Sequence, residues 1–306
     1  MKGLFAETRY PCFFDVLVYV LLFLVSAVAS AAAVVYLNME GDILLAVGYV
    51  VMFAVLLGLS AIYRAVRRSS RSCGKGVKGR IRGPKMALVG VVLMIAVQIV
   101  TEPLAGLDAA AERDYYDMLS QMGTAMVLTS IIVAPIAEEL FFRAILTGDI
   151  ARKRGVMTAV LISSTFFALS HIGHWAQVAP AFLGGVVLAY IYLVTRSVWN
   201  AVFVHMVNNL ASQLYFLYSP TFEDFARPLS QVIGIKWIYN AVYVAACLLL
   251  ATVLTVGLAR LSRRYRRDAE LTEFGQDDDA GSTIVSKEGL EDTYIGNDGG
   301  ENGGGI

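Results

Sequence analysis

The chain has 306 residues, of which 57% are apolar and only 16% are charged. Because soluble globular domains carry about 25% charged residues, this composition excludes an ordinary soluble domain. The 25 basic and 25 acidic residues cancel to a formal net charge of zero, but they are segregated along the chain, so their placement indicates membrane topology rather than a partner.

Eight apolar segments succeed one another along the chain, separated by charged connections. A helix needs about 20 apolar residues to cross roughly 30 Å of hydrocarbon, and most of the segments approach that length. The first is too long for a cleavable signal sequence, so we expect it to be retained as a helix. The pattern predicts an all-α, polytopic transmembrane helix bundle with about eight spans. These are residues 13–37, 43–63, 86–101, 123–146, 156–172, 179–194, 198–217 and 237–258.

Basic residues mark every second connection, and the connections between them are acidic or neutral. Lys and Arg concentrate on the cytoplasmic side of membrane proteins. We therefore expect a multi-pass protein of the cell membrane with both termini in the cytoplasm. The basic clusters lie before span one, in 64–85, in 152–154, at Arg196 and in 260–267, and the acidic connections are 40–42, 108–117 and 223–224.

The predicted domain organisation is one transmembrane bundle followed by a tail. Residues 1–262 form the bundle, with a catalytic core at about 123–217. Residues 263–306 are acidic and rich in glycine, a composition that cannot bury a core, so we expect a disordered cytoplasmic tail. The three cysteines show no paired spacing, which argues against a disulfide framework or a thiolate metal site.

Ionisable side chains inside membrane spans are costly and are functional candidates for that reason. Span four carries Glu138, Glu139 and Arg143, and Glu139 and Arg143 share a helix face because they are four residues apart. Span five carries His171. Helix rise places Glu138 and His171 at nearly the same depth on either side of the turn at 152–155.

Span seven supplies a further polar pair. His205 and Asn209 are four residues apart and share a helix face. Counted from Arg196, His205 lies at a shallower depth than Glu138, unless the hairpin of spans four and five extends further into the cytoplasm. His174, three residues after His171, is expected at the membrane interface. Asn208 and Phe167 are expected to pack near the site.

Three motifs in order resemble a known family of membrane proteins. The segment EELFFR at 138–143 is similar to the EExxxR motif of the CPBP (Abi) family, FALSH at 167–171 to its FxxxH, and HMVNN at 205–209 to its HxxxN. That family includes type II CAAX prenyl endopeptidases and proteins linked to bacteriocin processing and self-immunity. The resemblance covers about residues 123–217, under a third of the chain.

The resemblance implies a role for each motif residue. Glu138 would act as general base on the attacking water, with His171 beside it. His205 and Asn209 would stabilise the oxyanion, and Glu139 and Arg143 would hold the site together. These residue types suit amide hydrolysis, which needs a base near neutral pH and donors aimed at the developing oxyanion.

Whether a metal takes part is left open by the residues. Glu138, His171 and His205 form a donor set that could bind zinc and leave one position for water. The same three residues could instead work through glutamate and histidine alone, and the helical HExxH motif of many zinc proteases is absent.

The leading hypothesis is an intramembrane endopeptidase that cleaves a membrane-associated peptide or protein, in the manner of a CAAX protease. Its expected partners are that substrate and the lipid bilayer, and no nucleic acid. Two alternatives use the same residues. One is a transporter with a proton or cation relay, and the other is a non-catalytic immunity or scaffold protein.

Overall fold

The computed structural model describes residues 13–37, 41–69, 85–172 and 175–291. All regular secondary structure in these ranges is helical, which confirms the all-α prediction. The helices are α1 Phe13–Leu37, α2 Gly41–Ser69, α3 Lys85–Ala105, α4 Ala109–Ser120, α5 Thr124–Arg154, α6 Val156–Leu169, α7 Trp175–Thr195, α8 Val198–Leu217, α9 Phe222–Phe225, α10 Leu229–Ile233 and α11 Lys236–Glu291.

A helix lies at each of the eight predicted spans. Six of them, α1, α2, α3, α5, α7 and α11, are long and apolar enough to cross a membrane. The other two are α6, an apolar helix of 14 residues, and α8, which has 20 residues but carries several polar side chains. The chain is therefore a multi-pass membrane protein, and the predicted bundle of about eight spans is confirmed in outline.

Helix α4 lies in a connection that the sequence pattern left without secondary structure. Its first turn is capped by Asp108, whose carboxylate accepts the backbone N–H of Ala111 at 3.0 Å. The ring of Tyr116 packs against Phe222 and Phe225 of the connection between α8 and α11. These contacts fold two acidic connections onto each other at one end of the bundle.

Helix α5 changes its winding around the Glu138–Glu139 pair. Ala134–Glu139 is α-helical, and π-helical turns flank it at Thr129–Val133 and Leu140–Thr147. Pro135 has no N–H to donate to the preceding turn, which accounts for the wider turn before the pair. After the pair, the Thr147 hydroxyl donates to the carbonyl of Phe142, five residues back, at 2.7 Å. Such π turns often occur at functional sites.

Ion pairs and caps fix the two ends of the bundle. At one end, Asp15 of α1 pairs with Arg67 of α2 at 2.8 Å, and Arg64 pairs with Asp149 of α5 at 2.9 Å. At the other end, the Asp42 carboxylate accepts the backbone N–H groups of residues 123, 125 and 126. We call these ends the basic face and the acidic face, because the predicted basic and acidic connections lie there respectively. That the basic face is cytoplasmic stays a prediction.

A buried apolar core lies between α3, α7, α8 and α11, with Val97, Leu188, Ile191 and Val204 among its members. Helices α6 and α7 approach closely at Gly185, where an added Cβ would lie 3.1 Å from the Cα of Ser164. The small residue therefore permits close helix packing.

The chain divides into two compact units, residues 1–262 and 263–306. The first contains the bundle described above. In the second, helix α11 continues as far as Glu291, and residues 292–306 lie outside the described ranges. The predicted catalytic core and disordered tail remain predictions.

Candidate active site

The centre of the site is a buried trio of charged and titratable side chains from α5 and α8. Glu139 and Arg143 have no exposed surface, and His205 is 5% exposed. Arg143 Nε lies 3.0 Å from Glu139 Oε2, close enough for an ion pair although the N–H is not aligned for a hydrogen bond. His205 Nδ1 lies 2.9 Å from Glu139 Oε1. Glu139 is therefore compensated on both sides.

The contact with Glu139 fixes how the imidazole of His205 is used. Because the carboxylate beside Arg143 accepts hydrogen bonds, we assign the proton to Nδ1 of His205, which donates to Glu139. This leaves Nε2 directed toward Glu138, with Nε2 and Glu138 Oε2 3.9 Å apart. That separation is too long for a direct hydrogen bond and suits a contact through water.

Glu138 differs from Glu139 in having one uncompensated oxygen. The Tyr49 hydroxyl of α2 donates a short hydrogen bond to Glu138 Oε1. The other oxygen, Oε2, is buried and has no hydrogen-bond partner. A buried polar atom left unpaired is costly and calls for a functional explanation.

Tyr49 is a site residue that the sequence analysis missed. It lies in span two, outside all three motifs, and its neighbours in the sequence are apolar, so nothing in the sequence distinguishes it from other tyrosines of membrane spans. The available signal was its hydroxyl in the interior of a span, which must find a partner when it is buried.

The phenyl ring of Phe167 links the two histidines. Its centroid lies 4.9 Å from the His171 ring and 5.7 Å from the His205 ring, and the Arg143 guanidinium stacks over it at 4.6 Å. His171 lies in the turn just after α6, half-buried, with Nδ1 2.9 Å from the Phe167 carbonyl oxygen. Since a carbonyl only accepts, Nδ1 carries the proton and Nε2 is left as the basic nitrogen of His171.

Asn209 lies one turn beyond His205 on α8. Its amide donates to the backbone carbonyl of Ser130, in the π turn of α5, at 2.9 Å. Asn208 donates to the Asn209 side-chain oxygen at 3.3 Å and accepts from Gln98 of α3 at 3.1 Å. The amide network joins three helices and orients Asn209, which keeps a second N–H for another acceptor.

The structure thus brings Glu138, Glu139, Arg143 and His205 into one contact network, with His171 joined to it through Phe167. His205 lies at the depth of the glutamate pair, and not nearer the basic face as its distance from Arg196 suggested. The reason is the length of α5, which runs to Arg154, about 22 Å beyond Glu139. The catalytic roles predicted for these residues stay predictions, and His174 lies outside the described residues.

The donor set predicted for zinc does not fit a metal site in this arrangement. Within the part of the chain that the structure describes, no group of three or more His, Cys, Asp or Glu side chains is placed to hold a metal ion. Glu138 and His205 face each other, but no contact joins His171 to either side chain directly. Zinc dependence itself remains an untested prediction.

Comparison with known proteins supports the motif assignment. Residues 120–211 match the family model described as type II CAAX prenyl endopeptidase Rce1-like. The chain is 34% identical over 86 residues to the protein named "Putative membrane peptidase YdiL" of Bacillus subtilis (strain 168), covering 28% of this chain and 34% of that protein. It is 33% identical over 79 residues to UPF0177 protein YxdF of Lactococcus lactis subsp. lactis (strain IL1403), covering 26% and 43% respectively.

The matched segment therefore spans only about a third to two fifths of the length of these curated relatives. No solved structure matches the chain. The matched residues include all three motifs and the site side chains described above except Tyr49 and Gln98. Over residues 120–211 the chain matches the type II CAAX prenyl endopeptidase Rce1-like family, which confirms the resemblance to CPBP-family membrane proteases that the motifs predicted.

Proposed function

We propose that this protein is an intramembrane endopeptidase that hydrolyses a peptide bond of a membrane-associated peptide or protein. The observation that carries the proposal is the environment of Glu138. One of its carboxylate oxygens is held by Tyr49, and the other is buried, unpaired and directed toward His205 Nε2. A carboxylate oriented in this way is suited to take a proton from a water beside it.

In the proposed reaction, the attacking water lies between Glu138 Oε2 and His205 Nε2. Glu138 takes one proton as the water oxygen bonds to the carbonyl carbon of the substrate. The tetrahedral intermediate then collapses as the C–N bond breaks, and the proton held by Glu138 passes to the departing amine. Donors that meet the developing oxyanion contribute strongly to such reactions, and the second N–H of Asn209 is the donor we assign to this role.

Glu139 and Arg143 act by orientation rather than by proton transfer. Their ion pair is fully buried, and it holds His205 in one tautomer with Nε2 toward Glu138. His171 is half-buried and joined to the site through Phe167, and we assign to its Nε2 the role of assisting proton movement to and from Glu138. The protein is expected in the cell membrane with both termini in the cytoplasm, by the charge pattern of its connections.

The test is cleavage of a panel of membrane peptides by the purified protein in detergent. We expect Glu138→Gln and His171→Ala to lower turnover by about 100- to 10,000-fold, the usual contribution of general acid–base groups. Glu223→Gln makes the same chemical change at an exposed site on α9 and serves as the matched control. A Glu138→Gln variant that is folded and fully active would overturn the proposal.

Two further arms separate the alternatives. A chelator added to the same assay tests zinc dependence. Proton uptake into proteoliposomes tests the relay alternative, which would be favoured if the variants lost uptake and the wild type cleaved no peptide.

A further inference from the structure

The π turn before the Glu138–Glu139 pair contains a backbone carbonyl whose helical donor is missing. The last hydrogen bond of this turn runs from the Ala134 N–H to the carbonyl of Thr129, five residues back. In the same register, the next acceptor is the Ser130 carbonyl and its donor would be residue 135. That residue is a proline, which has no N–H to donate. Helix α5 therefore supplies no donor in this register for the Ser130 carbonyl.

The side chain of Asn209, from α8, occupies the place of that donor. Its Nδ2 lies 2.9 Å from the Ser130 carbonyl oxygen, a normal length for a hydrogen bond. Inside a membrane, backbone groups must find their partners within the protein, and groups of a neighbouring helix commonly satisfy a carbonyl that a proline has freed. Asn209 therefore replaces, from another helix, the N–H that Pro135 lacks.

Two further amides fix the direction in which Asn209 donates. Gln98 of α3 donates to the Asn208 side-chain oxygen at 3.1 Å, and Asn208 donates to the Asn209 oxygen at 3.3 Å. Because the Ser130 carbonyl only accepts, the whole row of amides runs in one direction, from Gln98 to α5. With its oxygen bonded to Asn208, Asn209 presents an N–H group, and not its oxygen, to the Ser130 carbonyl.

The winding of the turn at Thr129–Val133 sets the direction in which Glu138 faces. A π turn contains about one residue more than an α turn, and one residue corresponds to about 100° of rotation about the helix axis, because 3.6 residues complete a turn. A return of this turn to α winding would therefore rotate Glu138 around α5. The 3.9 Å approach of Glu138 Oε2 to His205 Nε2 depends on the present winding.

We propose that Asn209 is a positioning residue that replaces the backbone donor missing at Pro135, and that Gln98 and Asn208 hold it in that orientation. The bond from Asn209 to Ser130 stabilises the π winding of α5 and thereby keeps Glu138 directed toward His205. This role uses one N–H of Asn209, and the oxyanion role assigned above uses the other. The effect on Glu138 rests on the proposed endopeptidase function, whereas the replacement of the missing donor does not.

A double-mutant cycle tests the replacement. Pro135→Ala restores a backbone N–H that can bond to the Ser130 carbonyl, so the carbonyl no longer depends on Asn209. We expect Asn209→Ala to lower the melting temperature of the full-length protein in detergent by about 2–4 °C, the effect of one lost hydrogen bond. In the Pro135→Ala background the same substitution should lower it by roughly half as much or less, because the two sites are coupled.

Pro180→Ala is the matched control, because Pro180 also lies inside a helix of the bundle, α7. In that background Asn209→Ala should keep its full effect on the melting temperature. Equal effects of Asn209→Ala in the wild-type, Pro135→Ala and Pro180→Ala backgrounds would overturn the replacement. If Asn209→Ala does not fold, Asn208→Leu is the milder substitution, and its loss of stability should likewise be smaller in the Pro135→Ala background. Equal losses for Asn208→Leu in the two backgrounds would have the same meaning.

The pH–rate profile tests the positioning of Glu138. A change in the direction of this carboxylate alters its contacts with Tyr49 and His205, and with them the pH dependence of kcat/KM. We expect the profile to shift in Asn209→Ala and to return to the wild-type form when Pro135→Ala is added, although kcat stays low in both variants because the oxyanion donor is lost. A wild-type profile in Asn209→Ala would overturn the positioning role. Absence of any cleavage by the wild type would overturn the proposed function together with that role, whereas the stability cycle would still decide the replacement of the missing donor.

Discussion

Glu139 and His205 meet at 2.9 Å in the interior of the bundle although they are 66 residues apart in the chain. The contact makes Glu139 a structural carboxylate that is paired on both sides. Glu138, its immediate neighbour, faces a different direction, contacts Tyr49 and keeps one oxygen unpaired. Two adjacent glutamates on one helix therefore have different contacts, with Tyr49 of α2 for Glu138 and with His205 of α8 for Glu139.

Removal of the buried cation should be far more damaging than removal of an exposed one. Arg143→Met leaves Glu139 without its ion-pair partner in the core, and breaking a buried pair costs about 3–5 kcal/mol. Arg152→Met removes an ion pair whose arginine is 46% exposed, and such pairs contribute about 0–1 kcal/mol. Thermal unfolding of both variants in the same detergent measures the difference. Equal losses of stability in the two variants would contradict the expectation that the buried Arg143–Glu139 pair stabilises the bundle more than the Arg152–Asp149 pair does.

The hydroxyl of Tyr49 should affect turnover more than stability. Tyr49→Phe removes a hydrogen bond to the proposed base, and bonds to charged groups are worth about 1.5–3 kcal/mol, or roughly ten- to a hundredfold in rate. Tyr63→Phe is the matched control, because Tyr63 makes the same kind of contact with Asp15 near the basic face. We expect kcat to fall and the pH–rate profile to shift only in Tyr49→Phe. If both variants have the wild-type profile, Tyr49 has a packing role alone.

Asp42 caps α5 from a different helix, and its loss should loosen the acidic-face end of that helix. The carboxylate accepts the N–H groups of Gly123, Ala125 and Met126 at 3.1, 2.6 and 2.9 Å. Asp42→Ala should cost about 0.5–2 kcal/mol, as for other helix caps.

Hydrogen exchange at residues 123–127 should rise in that variant and stay unchanged at the basic-face end of α5. Gly123→Ala provides an independent test, since its Cβ would lie 2.7 Å from Asp42 Cγ and displace the cap. If the amide N–H groups of residues 123–127 exchange as slowly in both variants as in the wild type, the cap is dispensable.

The close contact of α6 and α7 predicts opposite effects at two glycines. An alanine Cβ at Gly185 would lie 3.1 Å from the Ser164 Cα, so the helices must separate, and overpacking of this kind costs about 1–3 kcal/mol. Gly58 in α2 has nothing within 4 Å of an added Cβ, and alanine there should stabilise the helix by roughly 0.5–1 kcal/mol. The melting temperatures of Gly185→Ala and Gly58→Ala should therefore move in opposite directions.

The sequence by itself determined the class of fold and the candidate residues. A run of about 20 apolar residues can satisfy its backbone in a bilayer only as a helix, so composition and length were enough to predict the spans. Ionisable side chains in such spans are rare because they are costly, so Glu138, Arg143 and His205 were conspicuous without any structure. The prediction of contacts was limited, because helical spacing shows which residues share a face of one helix but does not show which helices pack together.

Only the tertiary structure decided what each candidate touches. The different contacts of Glu138 and Glu139, the depth of His205 and the contact of Tyr49 with Glu138 depend on how α2, α5 and α8 pack together. The position of helix α4 also depends on tertiary contacts, because Tyr116 packs against Phe222 in a connection far away in the chain. These relationships arise from helix lengths and crossing geometry, to which residues far apart in the chain contribute, and no local pattern encodes them.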